Sequence, residues 1–485
     1  MRHIYARASC VLIWLGKETD TVAEAFEMIK LCDECYEADN LQDVQAVILQ
    51  PSTSSKWQAV STLLNRSWFQ RVWVIQEVAM ASEALIVCGR YTCDWESISR
   101  LVRFLRKHSI SGYIGMSTTV RVMVNMRIQI QEEGPLHEPI FQLIAYTREF
   151  HATDPRDRAF ALLGLISDVF RFGVRIDYAM SYEDVYKEIA LKALGGDGDF
   201  MFPLLSRAGY HPRGSAKLPS WAPDWTLGLL NYMNPLTNDR FRASGPAKAG
   251  VSISQAEGDD NMLTIMGFVF DTIQRVSERR MGDDVLSASD NPAPRQAPGA
   301  WEWMIDLARV AKTTFEEIDD IASVATSYPT GQDFWDAYSR IFLCDEPLDL
   351  EGLDVDPETS ILEGYKIQRY KQSHIEDITA GRADQLDLTF LARNNEIGLR
   401  YEEKMTEQLI GKKFCATSKR YLGWVPPSAE PGDIVCIFFG SKVPFLLRTG
   451  GSGFYKLIGE CYIHGIMKGE AVVEGDLVEQ KFQII

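Results

Sequence analysis

The residues best placed to do chemistry lie in one short stretch, Ser67–Met80, reading SWFQRVWVIQEVAM. The pattern predicts one helix. At 3.6 residues per turn, Trp68, Val72, Ile75 and Ala79 form one stripe, and Phe69, Trp73, Gln76 and Met80 form a second beside it. Glu77 falls at the edge of that apolar arc, one turn beyond Trp73, and Arg71 faces away from it. A carboxylate partly desolvated against an indole suits glycosidic chemistry, where it can stabilise an oxocarbenium-like centre or orient ribose hydroxyls. The competing reading is a boundary acid paired with an arginine. Spacing alone favours this second reading, because edge acids on amphipathic helices are common.

Other clusters read more readily as structure. Asp154-Pro155-Arg156-Asp157-Arg158 opens a predicted helix over Asp154–Leu163, with Asp154 as cap, Pro155 at the first position and Asp157 where a capping-box acid lies. Asp154 and Arg158 are spaced to pair. An anion could sit at that helix start, but its own aspartates already fill the cap. Cys32 and Cys35 form a lone pair, short of the roughly four ligands that a zinc site needs. Cys461 and His464 stand three apart on a predicted strand, so they project to opposite faces; His464 reads as a surface or turn histidine. Trp221 and Trp225 read as packing residues of a proline-stiffened segment. Leu348–Glu358 is an acidic loop without calcium-loop spacing. No nucleophile elbow, zinc-protease pair or phosphate loop is present.

The elements that must position these residues alternate at first. Ala8–Gly16 and Ala84–Cys88 read as short buried strands. Helical spacing covers Asp20–Tyr36, Trp57–Leu64, Trp95–Lys107, Thr119–Glu132, Ile140–Phe150 and Tyr182–Leu194. Alternation of this kind predicts an α/β domain with a parallel sheet. A mainly helical middle follows, with a flexible loop at 279–299. The last seventy or so residues carry turn signals between short apolar runs at Lys413–Thr417, Ile434–Phe439, Val443–Arg448 and Tyr455–Tyr462. They predict a small antiparallel barrel or meander. The expected domains are 1–170, 171–410 and 411–485.

Composition bounds the function. The chain has 485 residues, 46% of them hydrophobic, and a net charge of −17. A field of that sign argues against nucleic acid and anionic membranes as partners. No apolar run reaches the roughly 18 residues of a membrane span, and no signal peptide opens the chain. Nine scattered cysteines fit a reduced, cytoplasmic protein. Nothing points to a bound metal or a resident cofactor.

Three stretches in this order resemble the fungal heterokaryon-incompatibility (HET) domain: YARASCVLIWLG at Tyr5–Gly16, NRSWFQRVWVIQEVAMA at Asn65–Ala81 and TDPRDRAFALLGL at Thr153–Leu165. LPSWAPDW at Leu218–Trp225 and the terminal region from Arg420 onward resemble the usual extension of these proteins. The resemblance marks Trp14, Gly16, Trp68, Arg71, Trp73, Gln76, Asp154, Pro155, Arg156 and Asp157 as family-motif positions. It implies a role in fungal non-self recognition and programmed cell death, through protein partners or self-association. HET domains are more distantly similar to TIR signalling domains, which implies a flavodoxin-like sheet. It also implies that Glu77 could act as a catalytic residue with NAD as substrate. Family members usually carry two further motif blocks ahead of the first stretch. A chain without them is expected to be N-terminally incomplete and to leave Glu77 little pocket to work in. On that reading the chain is an interaction protein, or a regulatory fragment that binds full-length relatives, rather than an NAD hydrolase.

Overall fold

The computed structural model describes residues 2–38, 54–107, 118–171, 173–195, 200–212, 214–227, 239–245, 254–255, 262–281, 316–323, 327–350, 355–374, 387–473 and 478–485. The chain divides into two compact units, residues 1–185 and 186–485.

The first unit is built on a three-stranded mixed sheet. Strand β1 (Val11–Trp14) pairs in parallel with β2 (Ala84–Cys88), and β2 pairs antiparallel with β3 (Tyr91–Asp94). Gly89, at φ +58, allows the two-residue turn between β2 and β3. Around the sheet lie α1 (Arg2–Arg7), α2 (Val22–Ala38), α3 (Ser54–Leu64), α4 (Val74–Met80), α5 (Trp95–Lys107), α6 (Thr118–Glu133), α7 (Ile140–Tyr146) and α8 (Asp157–Leu163). Ile13, Ile86, Phe69, Ile75 and Leu101 are buried in the core. Each such side chain contributes about 1.5–3 kcal/mol by leaving water.

Three expectations need correction here. The sheet is mixed, because the Gly89-Arg90 turn folds β3 back onto β2. β1 is buried on one face only: Leu12 is 69% and Trp14 57% exposed, since no described element covers the face that these two side chains share. Ser67–Met80 is not one helix. A 3-10 turn over Ser67–Gln70 ends at Arg71, whose backbone is extended (φ −82, ψ 132), and α4 begins only at Val74. The reason lies in competition for hydrogen bonds: Val72 N–H donates to the His151 carbonyl at 3.0 Å, so this backbone pairs across the fold and not along a helix.

A helix, α9 (Tyr182–Leu194), crosses the boundary between the units. The second unit combines helices with a nine-stranded sheet. Its helices include α10 (Met201–Leu205), α11 (Phe334–Ile341), α12 (Pro357–Ser373) and α13 (Leu388–Leu409). Its strands are β4 (Ser254–Gln255), β5 (Leu263–Val276), β6 (Lys413–Thr417), β7 (Leu422–Val425), β8 (Ile434–Phe438), β9 (Phe445–Thr449), β10 (Tyr455–Glu460), β11 (Tyr462–Ile463) and β12 (Gln480–Ile484). Among the described residues of the middle region, helices alternate with turns and with β4 and β5, and β5 has 14 residues. Strand β5 bends at two register shifts, Val269/Asp271 and Ile273/Arg275. Its first part pairs with β12 on one edge and β8 on the other, and the ring β5-β12-β10-β9-β8-β5 closes a barrel. Its last part pairs with β6, which carries β7 and β11. Mostly antiparallel pairing agrees with the expected C-terminal β fold; the exception is the parallel contact of β10 with β12.

Tyr338, Phe342, Tyr365, Phe414 and Trp424 form an aromatic core in this unit. The Trp424 indole N–H donates to the Ile341 carbonyl at 2.9 Å. Trp221 and Trp225 are buried, with Trp225 edge-on to Tyr186 at 4.8 Å. His464 does lie in a turn, but it is only 5% exposed; it is therefore not a surface residue. The acidic loop is shorter than expected because α12 starts at Pro357. Most of the loop expected at 279–299 lies outside the described residues.

Candidate functional site

Helix α4 carries Gln76 and Glu77, and side chains from elsewhere fix its C-terminal end. The last carbonyls of a helix lack partners along the chain. Here Arg127 Nη1 donates to the Val78 and Ala81 carbonyls, each at 2.6 Å, and Gln131 Nε2 donates to Ala79 at 3.1 Å. A cation at this end also complements the helix dipole. Arg127 is 5% exposed, and Glu96 at 3.1 Å balances its charge. Gln76 is buried and donates to the Ala161 carbonyl at 3.3 Å, while its amide oxygen has no partner. That bond joins the second family stretch to the third, and the Val72–His151 pairing meets the chain just ahead of the third.

Glu77 is half-buried and lies within hydrogen-bonding reach of the Tyr5 hydroxyl from α1. Burial, and then the Glu77 charge and its hydrogen bond, raise the Tyr5 pKa, while Arg71 pulls it down. Arg71 therefore acts on the same hydroxyl as Glu77. The break at Arg71 removes the helical-wheel relation on which the expectation that Arg71 faces away rests. Trp73, half-buried, caps α4 one turn before Glu77. Tyr5 is a partner for Glu77 that the sequence reading did not single out. A carboxylate held beside a phenol can accept hydrogen bonds from ligand hydroxyls or stabilise positive charge.

In open α/β sheets, ligands sit outside the carboxyl ends of the strands. At that end of the β1–β2 pair the side chain present is Arg66. Its Nη1 donates to the Leu15 carbonyl at 2.7 Å and the Lys17 carbonyl at 3.2 Å, and lies 3.0 Å from Cys88 Sγ. Burial pushes the Cys88 thiol up despite the cation. Gly16, at φ +102, packs under this guanidinium. Arg66 was also passed over in the sequence, although it stands just ahead of the Ser67–Met80 stretch. Trp14 lies on the exposed face of β1. Trp68 is half-buried, edge-on to Phe69 at 5.2 Å and to Trp95 at 6.5 Å.

The Asp154–Asp157 stretch forms a clamp. Asp154 does not pair with Arg158; it pairs with Arg156, at 2.9 Å to Nε and 2.6 Å to Nη2, and also accepts the Arg156 N–H. Helix α8 starts only at Asp157, so Asp154 and Pro155 form the turn before it. Arg156 Nη1 donates to the carbonyls of Tyr178 and Met180, and its guanidinium lies over the Tyr178 ring at 5.1 Å. The Tyr178 hydroxyl donates to Asp157 at 2.6 Å. Burial and this bond push the Tyr178 phenol upward. Among the described residues no group of three His, Cys, Asp or Glu side chains could hold a metal ion. No described helix is long and apolar enough to cross a membrane.

Comparison with known proteins matches residues 1–77 to the family described as heterokaryon incompatibility protein (HET) and residues 361–481 to the Het-6 beta-barrel domain. The second match spans α12, α13 and most barrel strands, but not β5, which closes the ring. Heterokaryon incompatibility protein 6, OR allele, of Neurospora crassa is 22% identical, over 97% of this chain and 78% of that protein. No solved structure matches. With a HET segment and a Het-6 barrel segment in order on one chain, and a HET relative aligned along nearly all of it, the chain is similar to the fungal heterokaryon-incompatibility proteins.

Proposed function

We propose that the chain acts in heterokaryon incompatibility, as a cytoplasmic signalling protein of fungal non-self recognition that leads to programmed cell death. The observation that carries this reading is the pairing of a HET segment with a Het-6 barrel domain on one chain, in the company of an incompatibility protein aligned along 97% of it. Protein partners or self-association supply the trigger, and the exposed Leu12 and Trp14 on the edge strand β1 support such pairing. The test is inducible expression in one of two fusing fungal strains, scored by hyphal growth and vital-dye uptake in fused cells. Arrest and dye uptake confined to particular strain pairings is the expected result. Normal growth in every pairing, with the protein present, would sink the proposal.

A second reading is a TIR-like NAD-cleaving hydrolase with Glu77 in its site. The parallel β1–β2 pair supports the sheet type, and the Tyr5–Glu77 contact beside Arg71 supports the chemistry. Purified chain that converts NAD to nicotinamide, and loses that activity in Glu77→Gln, is the outcome this reading requires. Equal turnover in both proteins, or none in either at concentrations that allow assembly, removes it.

A further inference from the structure

The second unit holds a cavity of about 440 Å³, within the size range of small-molecule sites. Its lining has two parts of different kind. One is a chain of alternating charge. Arg340 Nε donates to the Asp336 carboxylate at 3.1 Å, Arg340 Nη1 lies 3.9 Å from Asp345 Oδ1, and Lys468 Nζ lies 2.5 Å from Asp345 Oδ2. The inner members are shielded, with side chains 17% exposed at Arg340 and 16% at Asp345, whereas Asp336 at 37% and Lys468 at 58% are open. The chain thus presents a carboxylate at one end and an ammonium at the other. Glu470, a third carboxylate in the lining, is turned back onto the Lys468 N–H at 2.6 Å.

The other part is uncharged. The Tyr462 hydroxyl meets His464 Nδ1 at 2.8 Å, and His464 Nε2 meets Gln332 Oε1 at 3.0 Å. Gln332 Oε1 can only accept, so the imidazole carries its proton on Nε2 and accepts from Tyr462. Burial lowers the His464 pKa to about 4, and the ring adds no charge near neutral pH. Thr330 donates to the same Gln332 oxygen at 3.0 Å, which leaves the amide NH₂ of Gln332 as a donor to the cavity.

The wall is built, not incidental. Cys344 and Asp345 hold φ of +49 and +57, a conformation non-glycine residues rarely take, and this sets the Asp345 carboxylate between the two cations. Gly465 lines the cavity at φ +90, where a Cβ would stand 2.5 Å from Thr330. A ligand that carries charge of one sign only can extend the Asp336–Lys468 chain at one end but not at both. A ligand with both charges extends that chain at each end.

We propose that this cavity binds small zwitterions of the amino-acid class, with the ligand ammonium at Asp336, its carboxylate at Lys468 and its polar side chain against Gln332. This assignment is independent of the incompatibility role and of Glu77. Calorimetric titration of the full chain with L-glutamine, putrescine and succinate tests it. L-glutamine is expected to bind with a Kd on the order of 1 mM, and putrescine and succinate, each charged with one sign only, at least about tenfold more weakly. Lys468→Met and Asp336→Asn should each weaken L-glutamine at least about tenfold and remain folded at the titration temperature, while Lys468→Arg keeps binding. Should a variant unfold early, the ranking of the three ligands on the native chain still decides. Heat from none of the three, putrescine or succinate binding as tightly as L-glutamine, or undiminished L-glutamine binding in folded Lys468→Met and Asp336→Asn, would overturn the proposal.

Discussion

Arg66 donates to the Leu15 carbonyl at 2.7 Å and so closes the carboxyl end of β1. The same guanidinium reaches the Lys17 carbonyl at 3.2 Å, so one side chain holds the exit of the edge strand. Arg66→Ala removes both bonds and is expected to cost about 2–3 kcal/mol. Arg66→Lys keeps the charge but not the fork and should lose about half as much. Urea unfolding of the full chain measures both. A loss below about 0.5 kcal/mol for the alanine variant would mean that β1 is held by its pairing with β2 alone.

Much of the first unit was legible in the sequence because its elements are short and strongly periodic. Trp95–Lys107 and Ala84–Cys88 have the bounds that their patterns give. The break at Arg71 was not legible. Nothing local forbids a helix through Arg71; the extended backbone there is set by His151, far along the chain. Tyr5 beside Glu77 was hidden for the same reason, since only the fold brings α1 onto α4. β3 had a signal, a glycine turn followed by alternation, that was not used. β5 was read as part of a helical region, although its β-branched and aromatic content favours a strand. The sequence motifs named most of the candidate residues, but not Arg66 and Arg127, because a cation that serves backbone carbonyls leaves no spacing pattern.

Asp433 is buried in the barrel unit and meets Arg448 twice, at 2.8 Å to Nε and 2.9 Å to Nη2. Asp433 also accepts the Glu430 N–H at 2.9 Å. The carboxylate raises the Arg448 pKa, so the guanidinium stays charged. Asp433→Asn removes the bidentate partner of a partly buried guanidinium and leaves it only the more exposed Glu430 at 3.1 Å, and is expected to cost about 3 kcal/mol. The double variant Asp433→Asn/Arg448→Met should recover part of that loss. Denaturant midpoints of the three proteins give the coupling; strictly additive losses would show that the two side chains do not act as a pair.

Gly267 stands where β5 is flanked by both β12 and β8. A Cβ there would lie 2.4 Å from the Ile437 carbonyl oxygen and 2.9 Å from Phe438 Cα, so backbone would have to move. Gly267→Ala is therefore expected to lower stability by about 2–4 kcal/mol and to open the barrel seam. Hydrogen exchange should show faster exchange in β8 and β12 with little change in β6 and β7. Equal protection throughout would mean that the seam tolerates a methyl group.

His464 makes stability depend on pH with a defined sign. Burial is the main cause of its lowered pKa; Asp345 and Asp336 oppose the shift, while Arg340 and Lys468 add to it. Its pKa falls from 6.5 to about 4 on folding, so between those values the unfolded chain binds the proton and the folded chain does not. Stability contributed by the neutral ring is complete above pH 6.5 and declines as pH falls toward about 4, by up to about 3 kcal/mol. His464→Gln cannot titrate, so its unfolding free energy should fall less than that of the native chain across this window. The two curves should converge from the side of the native protein as pH drops. Parallel curves would mean that the ring is already protonated in the folded state, and then Tyr462 could not donate to Nδ1.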